Sequence, residues 1–221
     1  LYSRLSERAA KPEVAAQLAL QLYEKSNLHL PRDELLARAA RLRKSPELWR
    51  RLLLKHPESD YVDEAVRVVD PAQFTDEEQF ARMELLFQRR AYERCRAIGL
   101  LLWAKGFRKS EVGWYLGKIG SERLRDDYPG AATYLAETIA EGAPLAMTAL
   151  PSYALALLKN GKFDEAVAQY DAWLKRFPDA PIEKVVELHY DRGRALRLAG
   201  KPMASERWFV ENSGNVVKSP L

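Results

Sequence analysis

The sequence predicts an all-α chain folded as a superhelix (solenoid) of antiparallel helical hairpins. Three observations predict it. The 221 residues include 32 Leu and 30 Ala against only 20 Val, Ile and Thr together. Leu and Ala lose little freedom in a helix, whereas β-branched side chains are stiffened there and favour strands. Pro and Gly also interrupt the chain at short intervals, and apolar residues recur between the breaks at helical spacing. Finally, similar helical pairs recur along the second half. Hairpins with one apolar face each can bury it by stacking on their neighbours.

The elements follow in order from these breaks. A helix over 13–26 follows Pro12, and helices over 32–44 and 46–55 start beside Pro31 and Pro46. Proline is tolerated in a first turn, where its missing N–H would have no helical partner. After Pro57, the spacing predicts a helix over 60–69, because Val66, Val68 and Val69 share a helical frame with Tyr61, Val62 and Ala65. Asp70-Pro71 ends it. Thr75 and Glu78 form an S/T-x-x-E capping box for a helix over 75–88. Helices over 91–105, 109–120 and 129–141 are bounded by Gly106 and Pro129. Gly161 separates 145–159 from 163–177, and Gly200 separates 182–199 from 203–210. No segment reads as a strand.

No Gly- and Ser-rich linker divides the chain. The reading is one superhelical repeat domain over 1–211, with irregular hairpins over 1–110, clearer repeats over 111–210 and a polar tail over 212–221. Hydrophobic residues at 47% and aromatics at 10% exclude a collagen-like or disordered chain. The length suffices for a core without disulfide or metal staples. Cys95 stands alone, so no intrachain disulfide forms. The longest apolar run, Ala97 to Ala104, has eight residues where a membrane span needs about 20. A start at Leu1 is expected for a mature or trimmed chain. The net charge of +4 is a mild excess on helices carrying both signs, which suits solvated faces.

The clearest unit is PSYALALLKNGKFDEAVAQYDAWLKRFPDAP, residues 151–181. Tyr153, Ala154 and Leu157 lie on its first helix. Gly161 is in the turn, followed by Phe163. Ala166, Tyr170 and Trp173 lie on the second helix, and Pro178 stops it. This unit resembles a tetratricopeptide repeat: small residues at 154 and 166 let the helices approach, and the aromatics fill the gap below. A second copy follows 39 residues later, with Gly193 for Ala154, Leu196 for Leu157, Gly200-Lys201 for Gly161-Lys162, Ser205 for Ala166 and Phe209 for Tyr170. An earlier copy places Gly117 at the first small position and Tyr128, Ala131 and Leu135 opposite Phe163, Ala166 and Tyr170. Its turn is two residues longer. RAYERCRAI, residues 90–98, matches the second helix again, with Cys95 at the small position. LLKHPESDYVDEA resembles LKRFPDAPIEKVV, setting Pro57 opposite Pro178.

In its irregular form, carried by WRRLLLKHPESDYVDEAV and QFTDEEQFARMELLFQRRAYERCRAIGLL, the pattern is similar to the superhelical region of bacterial soluble lytic transglycosylases. Those chains string imperfect helical hairpins ahead of a lysozyme-like catalytic domain. The H/F-P-[DE]-[SA] turn is also similar to that of other envelope tetratricopeptide proteins. The resemblance implies a non-catalytic scaffold for protein or peptidoglycan interaction in a bacterial periplasm or cell envelope. The alternative is a tetratricopeptide adaptor, in envelope assembly or the cytosol, that binds a partner's peptide in its concave groove.

A lytic transglycosylase needs a Glu acid, usually in a Glu-Ser pair, and a downstream Gly-Leu-x-Gln segment. Such a Glu works when burial raises its pKa. The one Glu-Ser pair, Glu58-Ser59, follows Pro57 in a turn expected to be solvent-exposed, and no Gly-Leu-x-Gln follows. No catalytic set is therefore expected in these residues, and a transglycosylase domain would lie outside them. His29, His56 and His189 are far apart and lack metal-ligand spacing. His56 reads as a helix C-terminal residue that favours the dipole when protonated. The Gly-Lys pairs at 117, 161 and 200 lack the earlier Gly and the following Ser/Thr of a phosphate loop. No cofactor or metal is expected, and Cys95 reads as inert packing.

Tetratricopeptide arrays bind partners through first-helix residues facing the groove. The resemblance carries that role to Glu111, Trp114 and Lys118, to Leu155 and Lys159 beside Pro151 and Ser152, and to Glu187, Tyr190, Arg194 and Arg197. An aromatic flanked by Arg and Lys suits an acidic or C-terminal peptide, or a sugar polymer with carboxylates. The bland alternative is that Trp114 and Tyr190 are inter-repeat packing. Basic clusters at Arg38, Arg41, Arg43 and Lys44, and at Arg89, Arg90, Arg94 and Arg96, are interrupted by Glu34, Glu47, Glu84 and Glu93. Nucleic-acid binding, which needs charge gathered on one face, is not expected.

Overall fold

The computed structural model describes residues 12–25, 31–140, 145–207 and 210. The 212–221 tail, His29 and Phe209 lie outside the described residues. Among the described residues every regular element is helical: α1 Pro12–Glu24, α2 Arg32–Arg43, α3 Pro46–Lys55, α4 Val62–Ala65, α5 Asp76–Gln88, α6 Tyr92–Ala104, α7 Lys109–Lys118, α8 Tyr128–Ala140, α9 Ala146–Lys159, α10 Phe163–Arg176 and α11 Ile182–Leu198. A short 3₁₀ turn covers Pro71–Gln73, a π-turn covers Ile119–Arg123, and 202–207 are helical. The chain forms two compact units, one through Ile98 and one from Gly99. The division falls within α6.

In the first unit α1 packs on α2, α2 on α3, and α3 on α4 and α5. Tyr23, Leu36, Trp49, Leu52 and Leu53 meet in its core, with Ala37, Ala39 and Ala40 letting α2 approach its neighbours. Ser45 caps α3 by accepting the Leu48 N–H at 3.3 Å, with Pro46 in the first turn. The Thr75–Glu78 capping box forms as the spacing predicts. Arg82 is only 6% exposed and donates from Nε to the Leu53 carbonyl at 3.0 Å, near the end of α3. Burial pushes its pKa down to about 10, still far above neutrality, so a charged guanidinium meets one of the last carbonyls of α3.

One predicted helix is largely absent. The 60–69 segment is α-helical only over Val62–Ala65 and continues as turns. Val66 and Val68 are 39% and 49% exposed and only Val69 is buried, so little apolar contact sustains the β-branched run as a helix. The Asp70 carboxylate instead accepts the Ala72 N–H at 2.9 Å and starts the 3₁₀ turn.

In the second unit α7 to α11 pack each on the next. Gly117 sits against Leu135: a Cβ there would lie 2.2 Å from the Leu135 Cγ. Trp173, fully buried, donates from Nε1 to the Met147 carbonyl at 2.7 Å. That carbonyl has no helical donor, because residue 151 is Pro inside α9. Thr138 makes the corresponding bond from α8 back to the Ser110 carbonyl of α7, at 3.0 Å.

Local geometry recurs from hairpin to hairpin. Gly161 and Gly200, at φ 77° and 76°, and Arg90, at φ 62°, occupy the left-handed region five residues before Ala166, Ser205 and Cys95. At each, the next residue's N–H reaches back to a carbonyl five residues earlier (Lys162 to Leu157, Lys201 to Leu196, Ala91 to Leu86), the helix-ending Schellman turn. The small positions then meet twelve residues back. Cys95 Sγ donates to the Met83 carbonyl at 3.3 Å, and Ser205 Oγ to the Gly193 carbonyl at 3.0 Å. The ends of α3 and α10 also match. His56 before Pro57 has φ −136° and ψ 56°, and Phe177 before Pro178 has φ −126° and ψ 63°.

Candidate partner-binding cavity

An open cavity of about 510 Å³ lies in the second unit, between the end of α7, the π-turn, α9 and α11. Its lining includes Lys118, Leu155, Lys159, Glu187 and Arg194 of the expected groove, with Pro151 and Ser152 between them. These come from three helices of the unit, α7, α9 and α11.

The inner wall is built around Glu122. An α-helical turn would continue from Lys118, but the Leu124 N–H bonds the Ile119 carbonyl at 2.9 Å, and the widened π-turn results. Lys118 Nζ lies 2.9 Å from Glu122 Oε1, and the two side chains are only 18% and 24% exposed. The Ser152 hydroxyl bonds the same carboxylate oxygen. Burial raises the Glu122 pKa, but the Lys118 charge and the hydrogen bonds from Ser152 and Lys118 outweigh it and hold the group below its ordinary value of 4.5. A carboxyl kept ionised this way is the opposite of a glycosidase-type acid.

The linked protonation has a testable sign. Glu122 binds a proton more readily in the unfolded chain than in the folded one. Its contribution is complete above about pH 4.5 and is lost as the pH falls through its lower folded value. Below about pH 4.5 the wild type is expected to lose stability more steeply than Glu122→Gln. Urea midpoints between pH 3 and pH 6 measure it, and parallel slopes would refute it.

Trp114 joins the wall indirectly. Its Nε1 donates to Thr148 Oγ1 at 2.9 Å, and Thr148 lines the cavity. Lys118 Nζ lies 5.7 Å from the Trp114 ring centroid. Glu111 pairs with Arg108 at 2.9 Å and does not line the cavity. Tyr190, 59% exposed, and Arg197, also exposed, lie on α11 outside the lining. The Trp114 side chain is thus tied into the wall, whereas Tyr190 is mostly solvent-exposed.

Sequence reading missed Arg123, Arg125, Tyr128, Lys184 and Asp191, which also line the cavity. Lys184, Glu187, Asp191 and Arg194 fall on one face of α11, and Lys184 pairs with Glu187 at 2.7 Å. The i,i+4 spacing of Lys118 and Glu122 was a usable signal for that pair. Six cationic side chains face three carboxylates in the lining, so its charge is net positive.

The other sites considered in the sequence are used for scaffold contacts. Ser59 is 4% exposed rather than solvent-exposed, and its hydroxyl donates to Asp33 at 2.8 Å. The Arg94 Nη1 bonds the Glu58 carbonyl at 3.2 Å and the Ser59 carbonyl at 3.3 Å, drawing this turn inward. Burial pushes the His56 pKa down, against the charge the helix dipole would favour, and its Nε2 lies 3.3 Å from the Tyr23 hydroxyl. Cys95 is fully buried and its thiol is pushed up to about 12 by burial. Arg41, Arg43 and Arg89 pair with Glu64, Glu13 and Glu58. Among the described residues no group of three or more His, Cys, Asp or Glu is placed to hold a metal ion, and no helix is long and apolar enough to cross a membrane.

No protein-family model matches the chain, and no curated protein matches it.

Proposed function

We propose that this chain is a non-catalytic helical-repeat scaffold that binds a carboxylate-bearing partner in the cavity of its second unit. One observation carries the reading: residues of α7, α9 and α11 converge on a cavity lined by more cations than carboxylates. Recurrent hairpin turns support a tetratricopeptide-like superhelix. With the lytic-transglycosylase resemblance of the first half, the most specific form of the reading is the superhelical part of a periplasmic, peptidoglycan-acting protein. Its catalytic domain would lie outside these residues. An adaptor for an acidic peptide uses the same cavity.

The test uses two anionic probes, N-acetyl-hexaglutamate and peptidoglycan sacculi. Both should bind more weakly as salt rises, because exposed charges are screened over about 8–10 Å at physiological ionic strength. Lys159→Glu with Arg194→Glu should weaken binding by about tenfold or more, with an unchanged circular-dichroism melt. Sacculi retained in preference to the peptide favour the wall-acting form, and the reverse favours the adaptor. Binding unaffected by the double variant, or absent for both probes, overturns the reading.

A further inference from the structure

The cavity's charges are not all used internally. Lys118 is bonded to Glu122 and Lys184 to Glu187. Among the described residues, the side chains of Asp191, Arg194 and Lys159 make no hydrogen bond or ion pair. Among the described residues, two cations and one carboxylate without such a partner therefore face a single cavity, beside Arg125, which bonds only the Glu122 carbonyl. The Tyr170 hydroxyl of α10, on a residue 1% exposed, has no hydrogen-bond partner among the described residues and feels the charges of Asp191 and Arg194.

We propose that the ligand is a short zwitterionic peptide, its free carboxylate taken by Arg194 and Lys159 and its free ammonium by Asp191. This deepens the reading given above and rests on it. A purely anionic ligand would face Asp191 unpaired, and a purely cationic one would face Arg194 and Lys159. A zwitterion satisfies both signs, so mismatched ligands are discriminated by repulsion as well as by lost contacts. Burial and the neighbouring Glu187 push the Asp191 carboxyl up against the opposing pull of Arg194 and Lys184, and an incoming ammonium would add to that pull. Size agrees: three extended residues span about 10 Å, which a cavity of about 510 Å³ accommodates.

The experiment titrates the full chain with trialanine in three forms: free termini, N-acetylated and C-amidated. Calorimetry should show the free form binding, with either cap weakening it about tenfold or more, the scale of losing one charged contact. Asp191→Asn should erase the difference between free and acetylated peptide. Arg194→Gln should shrink the difference between acid and amide. Melting curves confirm that both variants fold. Acetylated peptide binding as well as the free form overturns the zwitterion. So does failure of every trialanine form while N-acetyl-hexaglutamate still binds, which leaves the carboxylate-partner reading standing. If neither probe binds, both readings fall.

Discussion

Replacing Trp173 by Ala is expected to destabilise the second unit by about 3–5 kcal/mol, the range for emptying a buried aromatic site. The ring is fully buried and contacts Phe177, with centroids 5.5 Å apart. The larger interest is its indole nitrogen. Pro151 has no N–H to offer the Met147 carbonyl four residues before it, so Trp173 supplies the donor from the neighbouring helix. Trp173→Phe keeps most of the volume but orphans that carbonyl, at an expected cost of about 1–3 kcal/mol. Restoring a helical donor with Pro151→Ala should recover part of that loss. A double-mutant cycle by urea unfolding measures the coupling. Additive losses would show that the indole hydrogen bond and the proline are unrelated.

The second large effect is expected at Gly117. Alanine there gains about 1 kcal/mol of helix propensity. Yet its Cβ would lie 2.2 Å from the Leu135 Cγ and within 2.8 Å of both Leu135 methyls. Leu135 is fully buried and cannot swing outward. Overpacking of this kind costs about 1–3 kcal/mol, so the net change should be destabilising, and Gly117→Val should be worse. Combining Gly117→Ala with Leu135→Ala should cost less than the sum of the single changes. Additivity, or a stabilising Gly117→Ala, would refute the close approach of α7 and α8.

Much of the local structure was legible because it depends on local chemistry. Ser45, Thr75 and Glu78 cap their own helices. Gly161 and Gly200 stand where the turn needs a left-handed residue. Gly117, Cys95 and Ser205 were legible as small positions, but the contacts they make, with Leu135 and with the Met83 and Gly193 carbonyls, were not. What was illegible depends on tertiary surroundings. Val66 and Val68 have helical spacing but stay exposed, and only Val69 of that run reaches the core. Ser59 looked exposed because Arg94, which draws its turn inward, lies 35 residues away in the chain.

The cavity was half legible for the same reason. Lys118, Leu155, Lys159, Glu187 and Arg194 line it and are groove positions that the repeat resemblance named. Arg123 and Arg125 reach the cavity only because the helix loosens into a π-turn and then ends, and Arg125 holds φ 60°. No periodicity announces that. Glu111 and Arg197 share the first-helix positions but fall beyond the lining.

The central claim is that anionic groups of a partner bind in this cavity. Amide chemical-shift mapping tests it most directly, with isotope-labelled chain titrated with N-acetyl-hexaglutamate at low and physiological salt. The account predicts saturable shifts around Lys118, Ser152, Leu155, Lys159 and Arg194, weakening with salt and lost in the Lys159→Glu, Arg194→Glu variant. Shifts confined to other surfaces, or equal in the variant, would contradict it.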